Sequence, residues 1–306
     1  MNNRLYVGVD VAKSGLDFDL PGLGRAANTA EAVEAALGVL PEETHLVCES
    51  TGGYEAVLVT SALAAGVPIS VLPPQRVRHH ARSTGRLAKN DRIDAALLSD
   101  YARTHRPPAY RAMEPERLQL RELLRARTQL IELQKIEASW REHRPKLAGL
   151  RQQAERRAAL LETQLKQLLK QIRALVSAMP SAALLERLQQ VQGVGEVTAW
   201  TVWAEMPELG SLNPGQPASL AGLAPHPRDS GTLRGKRYIQ QGRPQLRRVL
   251  YMAAISASQH NPVLKVFYQR LRTRGKPAKL ALIAVARRLI ELLNQIQKNP
   301  NFILVG

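Results

Sequence analysis

The chain has almost no cysteine: Cys48 is the single one in 306 residues. One thiol excludes an intrachain disulfide framework and fits a reducing compartment. Long apolar runs are missing too, since no stretch reaches the roughly 18 residues that a membrane-spanning helix needs, and nothing at the start reads as a signal peptide. A soluble cytoplasmic protein is expected. Acidic residues are the next scarcity, with 26 Asp plus Glu against 43 Lys plus Arg and a net charge of +17. Such an excess implies a polyanionic partner, although charge alone does not separate DNA from RNA or an anionic membrane surface. Its distribution is uneven. Residues 1–110 hold 11 basic and 12 acidic groups, 111–192 hold 16 and 9, 193–221 hold none and 3, and 222–306 hold 16 and 2.

Against that nearly neutral first third, its carboxylates stand out by position. Leu5, Tyr6, Val7 and Val9 around Gly8 read as a buried strand ending at Asp10, and Val11 to Gly15 turn the chain into a second strand-like run, Leu16 to Leu20. An apolar strand that delivers an Asp to its end and then hairpins back is how an RNase H-like sheet presents the first ligand of a divalent-metal nuclease site. Asn28 and Thr29 read as caps for a helix over Ala30 to Leu40. His45 to Glu49 is another strand ending in a carboxylate. Ser50 to Gly53 is a turn of small residues before a helix over Tyr54 to Ala65, and Pro68 to Leu72 reads as a third strand in parallel order. An early hairpin with later crossover helices implies an α/β sheet of mixed direction.

Gln75 to Lys89 is basic and poor in apolar residues, with Arg76, Arg78, Arg82, Arg86, Lys89, His79 and His80; a mobile segment with solvent-exposed imidazoles is expected. Asn90 reads as an N-cap for a helix from Asp91 to Ala102. Asp91 and Asp94, three apart, then share one face. Asp10, Glu49, Asp91 and Asp94 are therefore a candidate oxygen-ligand set for Mg²⁺ or Mn²⁺, hard ions that stabilise both attacking and leaving oxygens in phosphoryl transfer. Spacing leaves the plainer readings open, because a strand-end Asp also forms turns and acids in a first helical turn suit the helix dipole. Asp17 and Asp19 alternate toward the solvent side of the second strand and are left out of the set.

Two long amphipathic helices, from Pro115–Glu116 to about Trp140 and from Lys146 to about Met179, read as an antiparallel arm with imperfect heptads, suited to oligomerisation. After it, Gly193-Val194-Gly195 is a tight helix–helix turn. Its capacity to hold phosphate is reduced by Glu196 and by the absence of cations up to residue 221. From Ser219 the chain makes a short helix and then a glycine-rich basic passage with Arg228, Ser230, Gly231, Arg234, Lys236, Arg237, Gly242 and Arg243. Three helices follow, Pro244 to Gln259, Pro262 to about Arg272 and Lys276 to Gln295, bearing Arg247, Arg248, Lys276 and Lys279. Arg76, Arg82, Lys89, Arg228, Arg234, Lys236, Arg237, Arg243, Arg247, Arg248, Lys276 and Lys279 are the candidate nucleic-acid contacts. By spacing alone Ser230 ranks as a turn serine.

Taken together, these motifs resemble those of the DEDD-type insertion-sequence transposases, the bridge-RNA-guided serine recombinases related to Piv-like DNA invertases. The resemblance rests on Tyr6-Val7-Gly8-Val9-Asp10-Val11-Ala12-Lys13, Glu49-Ser50-Thr51-Gly52-Gly53-Tyr54 and Lys89-Asn90-Asp91-Arg92-Ile93-Asp94-Ala95. It continues in Gly193-Val194-Gly195, Leu220-Ala221-Gly222-Leu223-Ala224-Pro225, Ser230-Gly231, Gly242-Arg243 and Leu246-Arg247-Arg248. One departure is Gln192, where relatives more often have proline.

The resemblance implies a RuvC-type RNase H-like domain over 1–110, a helical coiled-coil arm for dimerisation over 111–184, and a mainly α-helical transposase domain with a serine loop over 185–306. It assigns Asp10, Glu49, Asp91 and Asp94 as metal ligands and Ser230 as nucleophile, and it implies a composite site because these come from different domains. Double-stranded DNA as substrate, a structured guide RNA and a homo-oligomer, dimer or tetramer, follow from it. The rival expectations are a metal-dependent junction-resolving nuclease without a serine nucleophile, and a non-enzymatic nucleic-acid-binding protein.

Overall fold

The structure is a computed structural model that describes residues 4–85, 91–110, 112–142, 147–226, 238–239 and 241–302, with the side chains of 91–93, 141–142 and 226 outside the description. The chain divides into two compact units, residues 1–112 and 113–306.

The first unit is built on a five-stranded sheet. Its strands are β1 (Leu5–Val11), β2 (Gly15–Phe18), β3 (Arg25–Ala27), β4 (Thr44–Glu49) and β5 (Ile69–Leu72), in the order β3-β2-β1-β4-β5. The β1–β2 and β2–β3 pairs are antiparallel, and the β1–β4 and β4–β5 pairs are parallel. The mixed sheet expected from the hairpin and crossovers is thus present. β3 adds an edge strand that the Arg-Ala-Ala sequence does not announce, since it is made by pairing with β2 rather than by its own pattern.

Strand alternation sends two sets of side chains to opposite faces. Val7, Val9, Leu16, Phe18, Leu46 and Cys48 form one core with Val33 and Leu37 of α1 (Ala30–Gly38) and Leu58 of α2 (Ala56–Ala64). On the other face Tyr6, Val47 and Leu72 pack with Val77 of α3 (Pro74–Ser83) and with Leu97, Leu98 and Tyr101 of α4 (Asp91–His105).

The basic passage after β5 differs from expectation over 74–83, where α3 forms. Pro74 suits the first helical position, and Val77 and His80 are enough to seat the helix. His80 is buried rather than solvent-exposed. Its Nε2 stands 3.1 Å from Asp100 Oδ2, and its ring meets Tyr101 and His105 edge-on.

The second unit is helical. Its helices are α5 (Pro115–Glu142), α6 (Ala148–Ala178), α7 (Ala182–Gln189), α8 (Glu196–Glu205), α9 (Gln216–Leu220), α10 (Pro244–His260), α11 (Pro262–Thr273) and α12 (Ala278–Lys298). Leu120, Leu124, Ile172 and Val176 tie the base of the α5–α6 hairpin into one core with Trp200, Trp203, Leu250 and Leu289. Further out the hairpin exposes Leu133, Ile136, Trp140, Leu147 and Leu160. Arg117 is buried at the hairpin base, where its guanidinium lies 3.8 Å from the Trp203 ring centroid and donates to the Trp203 carbonyl. Gly193 in the α7–α8 turn has φ +102°, and a Cβ there would come 2.6 Å from that of Ala257. Close helix packing, not phosphate, accounts for this glycine. Among the described residues no single helix is long and apolar enough to cross a membrane.

Candidate active site

Sheet register assembles the acidic end of the first unit. Asp10 is directly opposite Asp17 in the antiparallel pair. Val9 is partnered with Cys48 in the parallel pair, so Asp10 and Glu49 stand side by side one step further on. Neighbouring strands lie about 5 Å apart, and partnered residues face the same way. By the same alternation that sends Tyr6 and Val47 to the α4 face, Asp10, Asp17 and Glu49 belong to that face.

Helix α4 reaches this face because β1 has no side chain at Gly8. A Cβ on Gly8 would lie 2.0 Å from the carbonyl oxygen of Ala95 and 2.8 Å from the Ser99 amide nitrogen. The Gly8 N–H donates to the buried Ser99 Oγ at 2.7 Å. Helix and strand backbones therefore touch at Ala95 and Ser99, and Asp94 immediately precedes this contact in α4. Asp10, Glu49 and Asp94 are all half-buried. Asp91 is the first residue of α4, with its side chain outside the described residues.

Asp17 corrects the sequence reading that turned it to solvent. Its side chain is only 15% exposed and lies 3.7 Å from Arg25. Asp19 pairs with Arg103 at 3.8 Å. Alternation showed that the two share a face; that α4 covers this face follows only from the packing at Gly8.

The loop after Glu49 is gathered by Glu55, whose carboxylate accepts from the Thr51 amide, the Thr51 hydroxyl, the Gly53 amide and the Ser50 hydroxyl at 2.8–3.2 Å. Burial pushes this carboxyl up, yet the hydrogen bonds outweigh it and hold it below the ordinary value. Asn28 ties the same region together by donating to the carbonyls of Ala12 and Tyr54, while Thr29 alone caps α1. Burial, with the charges of Glu55 and Glu49, pushes the Cys48 thiol up to about 12. It is consequently unreactive.

An all-carboxylate donor set suits a hard divalent cation better than a soft one. Among the described residues, however, no group of three His, Cys, Asp or Glu side chains is gathered closely enough to hold a metal ion.

In the second unit the structure describes the two ends of the serine-bearing loop. Ser230, Arg228, Arg234, Lys236 and Arg237 lie outside the described residues, as does Lys89 in the first unit. The loop base is a two-stranded pairing of β6 (Pro225–His226) with β7 (Tyr238–Ile239). Below it Gly222 and Gly242 abut with φ of +68° and +71°, and a Cβ on Gly242 would fall 2.2 Å from the Gly222 nitrogen. The Arg243 amide donates to the Leu220 carbonyl at 2.9 Å. Arg247 donates to the Gln241 carbonyl at 2.7 Å.

Arg243 makes a two-pronged ion pair with Glu208, at 2.8 and 2.6 Å. Burial raises the Glu208 carboxyl, but the Arg243 hydrogen bonds and the charges of Arg243 and Arg117 prevail and hold it below the ordinary range. Arg248 pairs with Glu132 at 2.8 Å and lines a groove of about 460 Å³ with Arg125, Arg127 and Lys135. Arg76 and Arg82 on α3, Lys276 before α12 and Lys279 on it are exposed. Of the cations proposed as nucleic-acid contacts, Arg243, Arg247 and Arg248 thus hold protein groups, whereas these four face solvent.

A mixed sheet of this order with helices on both faces fits a DEDD-type transposase of RNase H-like fold. Residues 7–139 match a family model for DEDD transposases of the IS110 type, described as a transposase, and residues 185–269 match one described as the transposase IS116/IS110/IS902 family. Together these cover more than two thirds of the chain, which belongs to the IS110-type transposase family.

The chain is similar to the pilin gene-inverting protein of Moraxella lacunata, with 25% identity over 95% of this chain and 94% of the relative. It is as similar, at 25% identity, to the pilin gene-inverting protein of Moraxella bovis. It also shares 35% identity with an uncharacterised 43.6 kDa protein of insertion element IS110 from Streptomyces coelicolor, over 28% of this chain and 21% of that one. Membership makes this chain a DNA-cutting enzyme of a class that uses divalent metal ions.

Proposed function

We propose that this transposase cuts and rejoins DNA through Ser230, with a structured RNA selecting the target and with Asp10, Glu49, Asp91 and Asp94 as ligands of Mg²⁺ or Mn²⁺. The observation that carries the metal part is the register that brings Asp10 beside Glu49 on the face that α4 covers. Bound there, the ion would neutralise charge on the phosphate.

Ser230 Oγ attacks the phosphorus of a backbone phosphodiester. The Oγ–P bond forms, the P–O3′ bond breaks, the 3′ oxygen takes a proton, and the phosphoserine link keeps the bond energy for religation. Support for the serine is its place in a glycine- and arginine-rich loop whose ends the structure pins together. Arg243, committed to Glu208, anchors that loop, and Arg247 holds its carbonyls.

Support for a guide RNA is compositional: 16 basic against 2 acidic residues over 222–306, with no zinc finger or evident helix-turn-helix reader. Shape and backbone recognition by protein with sequence recognition by pairing is a known division of labour. Like the Moraxella proteins with which it aligns end to end, it would rearrange DNA segments. The apolar residues exposed along the outer α5–α6 hairpin suit a homo-oligomer, dimer or tetramer.

A second reading has a specific basis. The DEDD class points to a metal-dependent nuclease in which water attacks and Ser230 is structural. One experiment separates the two: the protein is co-purified with its nucleic acid, bound RNA is sequenced, and the complex is assayed for a denaturation-resistant protein–DNA adduct. The serine reading requires an adduct that disappears in Ser230→Ala and a rate loss of about 10²-fold or more in Asp10→Asn. Undiminished cutting by Ser230→Ala would establish the water reading.

A further inference from the structure

We propose that Arg25 contacts a phosphate of the DNA strand at the carboxylate end of the sheet, and that Asp17 is the residue that positions it. The inference rests on the reading of that end as the DNA-cutting site, and it adds a contact drawn from neither the motif resemblance nor the basic patches.

Register extends the row of carboxylates to a cation. Arg25 is opposite Asp17 across β2–β3, and Asp17 is opposite Asp10 across β1–β2. Three adjacent strands thus carry Arg25, Asp17 and Asp10 in line, with Glu49 next on β4. The Arg25 side chain does not simply leave the sheet edge. It lies back over Gly15, where an added Cβ would come 3.0 Å from its Nε and 3.2 Å from an Nη. Its other Nη is 3.7 Å from Asp17 Oδ2. The guanidinium is therefore laid across β2, one strand away from Asp10.

Two further facts separate this from an ordinary surface pair. The Asp17 side chain is 15% exposed and that of Arg25 56%, so the carboxylate is the more enclosed partner and the arginine the more exposed one. An exposed pair of such length adds little stability, and stability does not account for a side chain laid over a glycine. Charge supplies the second fact. From residue 1 to residue 75 the basic residues are Arg4, Lys13 and Arg25 alone, and Arg4 begins the run into β1, at the opposite end from Asp10.

A polyanionic strand approaching a row of carboxylates meets repulsion that a bound cation offsets only at the phosphate it touches. A neighbouring phosphate needs its own partner, and a planar guanidinium with paired N–H donors suits it. Holding Arg25 by Asp17 removes rotamer freedom before the strand arrives.

The test uses the full-length protein with Ca²⁺ in place of the catalytic ion and a fluorescein-labelled duplex of mixed sequence, titrated by anisotropy at several salt concentrations. Arg25→Ala is expected to weaken binding about tenfold and to reduce the slope of log K against log salt by about 1. Arg25→Lys should keep the slope, because the charge remains. Gly15→Ala, which displaces the guanidinium, and Asp17→Asn, which releases it, should each weaken binding about threefold, with Arg25 still present. In cutting assays the expected loss falls on KM more than on kcat.

An unchanged affinity and slope in a folded Arg25→Ala protein would overturn the proposal, as would equal losses in Arg25→Ala and Arg25→Lys accompanied by a lower melting temperature in both. These outcomes do not depend on the chemistry. Undiminished cutting by Asp10→Asn would refute the site reading itself while the salt slope still reported on Arg25.

Discussion

The acidic end of the first unit and the base of the serine-bearing loop in the second are held by different means. At the acidic end, Asp10, Asp17 and Glu49 are neighbours in a hydrogen-bonded sheet, and α4 is set by direct backbone contact at Gly8. At the loop base, among the described residues, two residue pairs of strand, two abutting glycines, the hydrogen bonds of Arg243 and Arg247 and one ion pair do the holding. A ladder fixes side-chain placement through many repeated bonds, so losing one contact shifts little. A base made of a few contacts concentrates the cost of any one change.

The largest effect is expected at the one place in the first unit where the ladder gives no redundancy, the backbone contact of α4 with β1. Gly8→Ala places a methyl 2.0 Å from the Ala95 carbonyl oxygen, which no side-chain rotation relieves. A loss of about 3 kcal/mol or more is expected, at the upper end of overpacking costs. Amide exchange across residues 4–110 should quicken, and metal-dependent cutting should disappear. A protected sheet in this variant would show that α4 is not fixed at Gly8.

Next comes Gly242→Ala, which combines a left-handed backbone angle with a clash against Gly222. It should cost about 1–3 kcal/mol, read as faster exchange around 220–226 and 241–247 with β1 and β4 unaffected. Spread of the change into the sheet would break the comparison.

Acid titration should give the smallest effect and separate the regions by pH. Burial, with Arg4 nearby, holds the His45 imidazole below its ordinary value of 6.5, between Tyr6 and the Ser70 hydroxyl. The native state thus prefers neutral His45, and as pH falls through 6.5 the unfolded chain takes up the proton first, so the sheet loses stability. Glu208 has the opposite chemistry and the same direction. Its native value lies below the ordinary 4.5, so the stabilisation from its pair with Arg243 is present above 4.5 and is lost as pH falls through the depressed value. Between pH 6.5 and 4.5 the sheet should loosen while the loop base keeps its pair, and His45→Gln should flatten the first trend. Exchange measured across that window checks both.

How much of this was legible differs residue by residue. Asp10 and Glu49 could be read because each ends an apolar run, and a strand's end is written locally in its pattern. Asp17 could not be assigned, since alternation says that two residues share a face but not which face a helix will cover. His80 was misread for a related reason: a basic stretch with one valine and one imidazole turned inward looks unstructured until a neighbouring helix buries both. The edge strand at Arg25–Ala27 has no pattern of its own and exists through pairing with β2. Arg243 reads as a phosphate contact in a list of cations, and the carboxylate that claims it lies 35 residues away.

By itself, then, the sequence determined the mixed sheet, the two strand-end carboxylates, the long helices and the motifs of a DNA-cutting transposase family. Each of those depends on local periodicity or on residues close in the chain. Which carboxylates share a face, which arginines are bound to protein groups and which reach solvent, and why Gly8 and Gly242 admit no side chain were decided by tertiary structure. These are matters of distance between segments far apart in the chain, and only packing sets such distances.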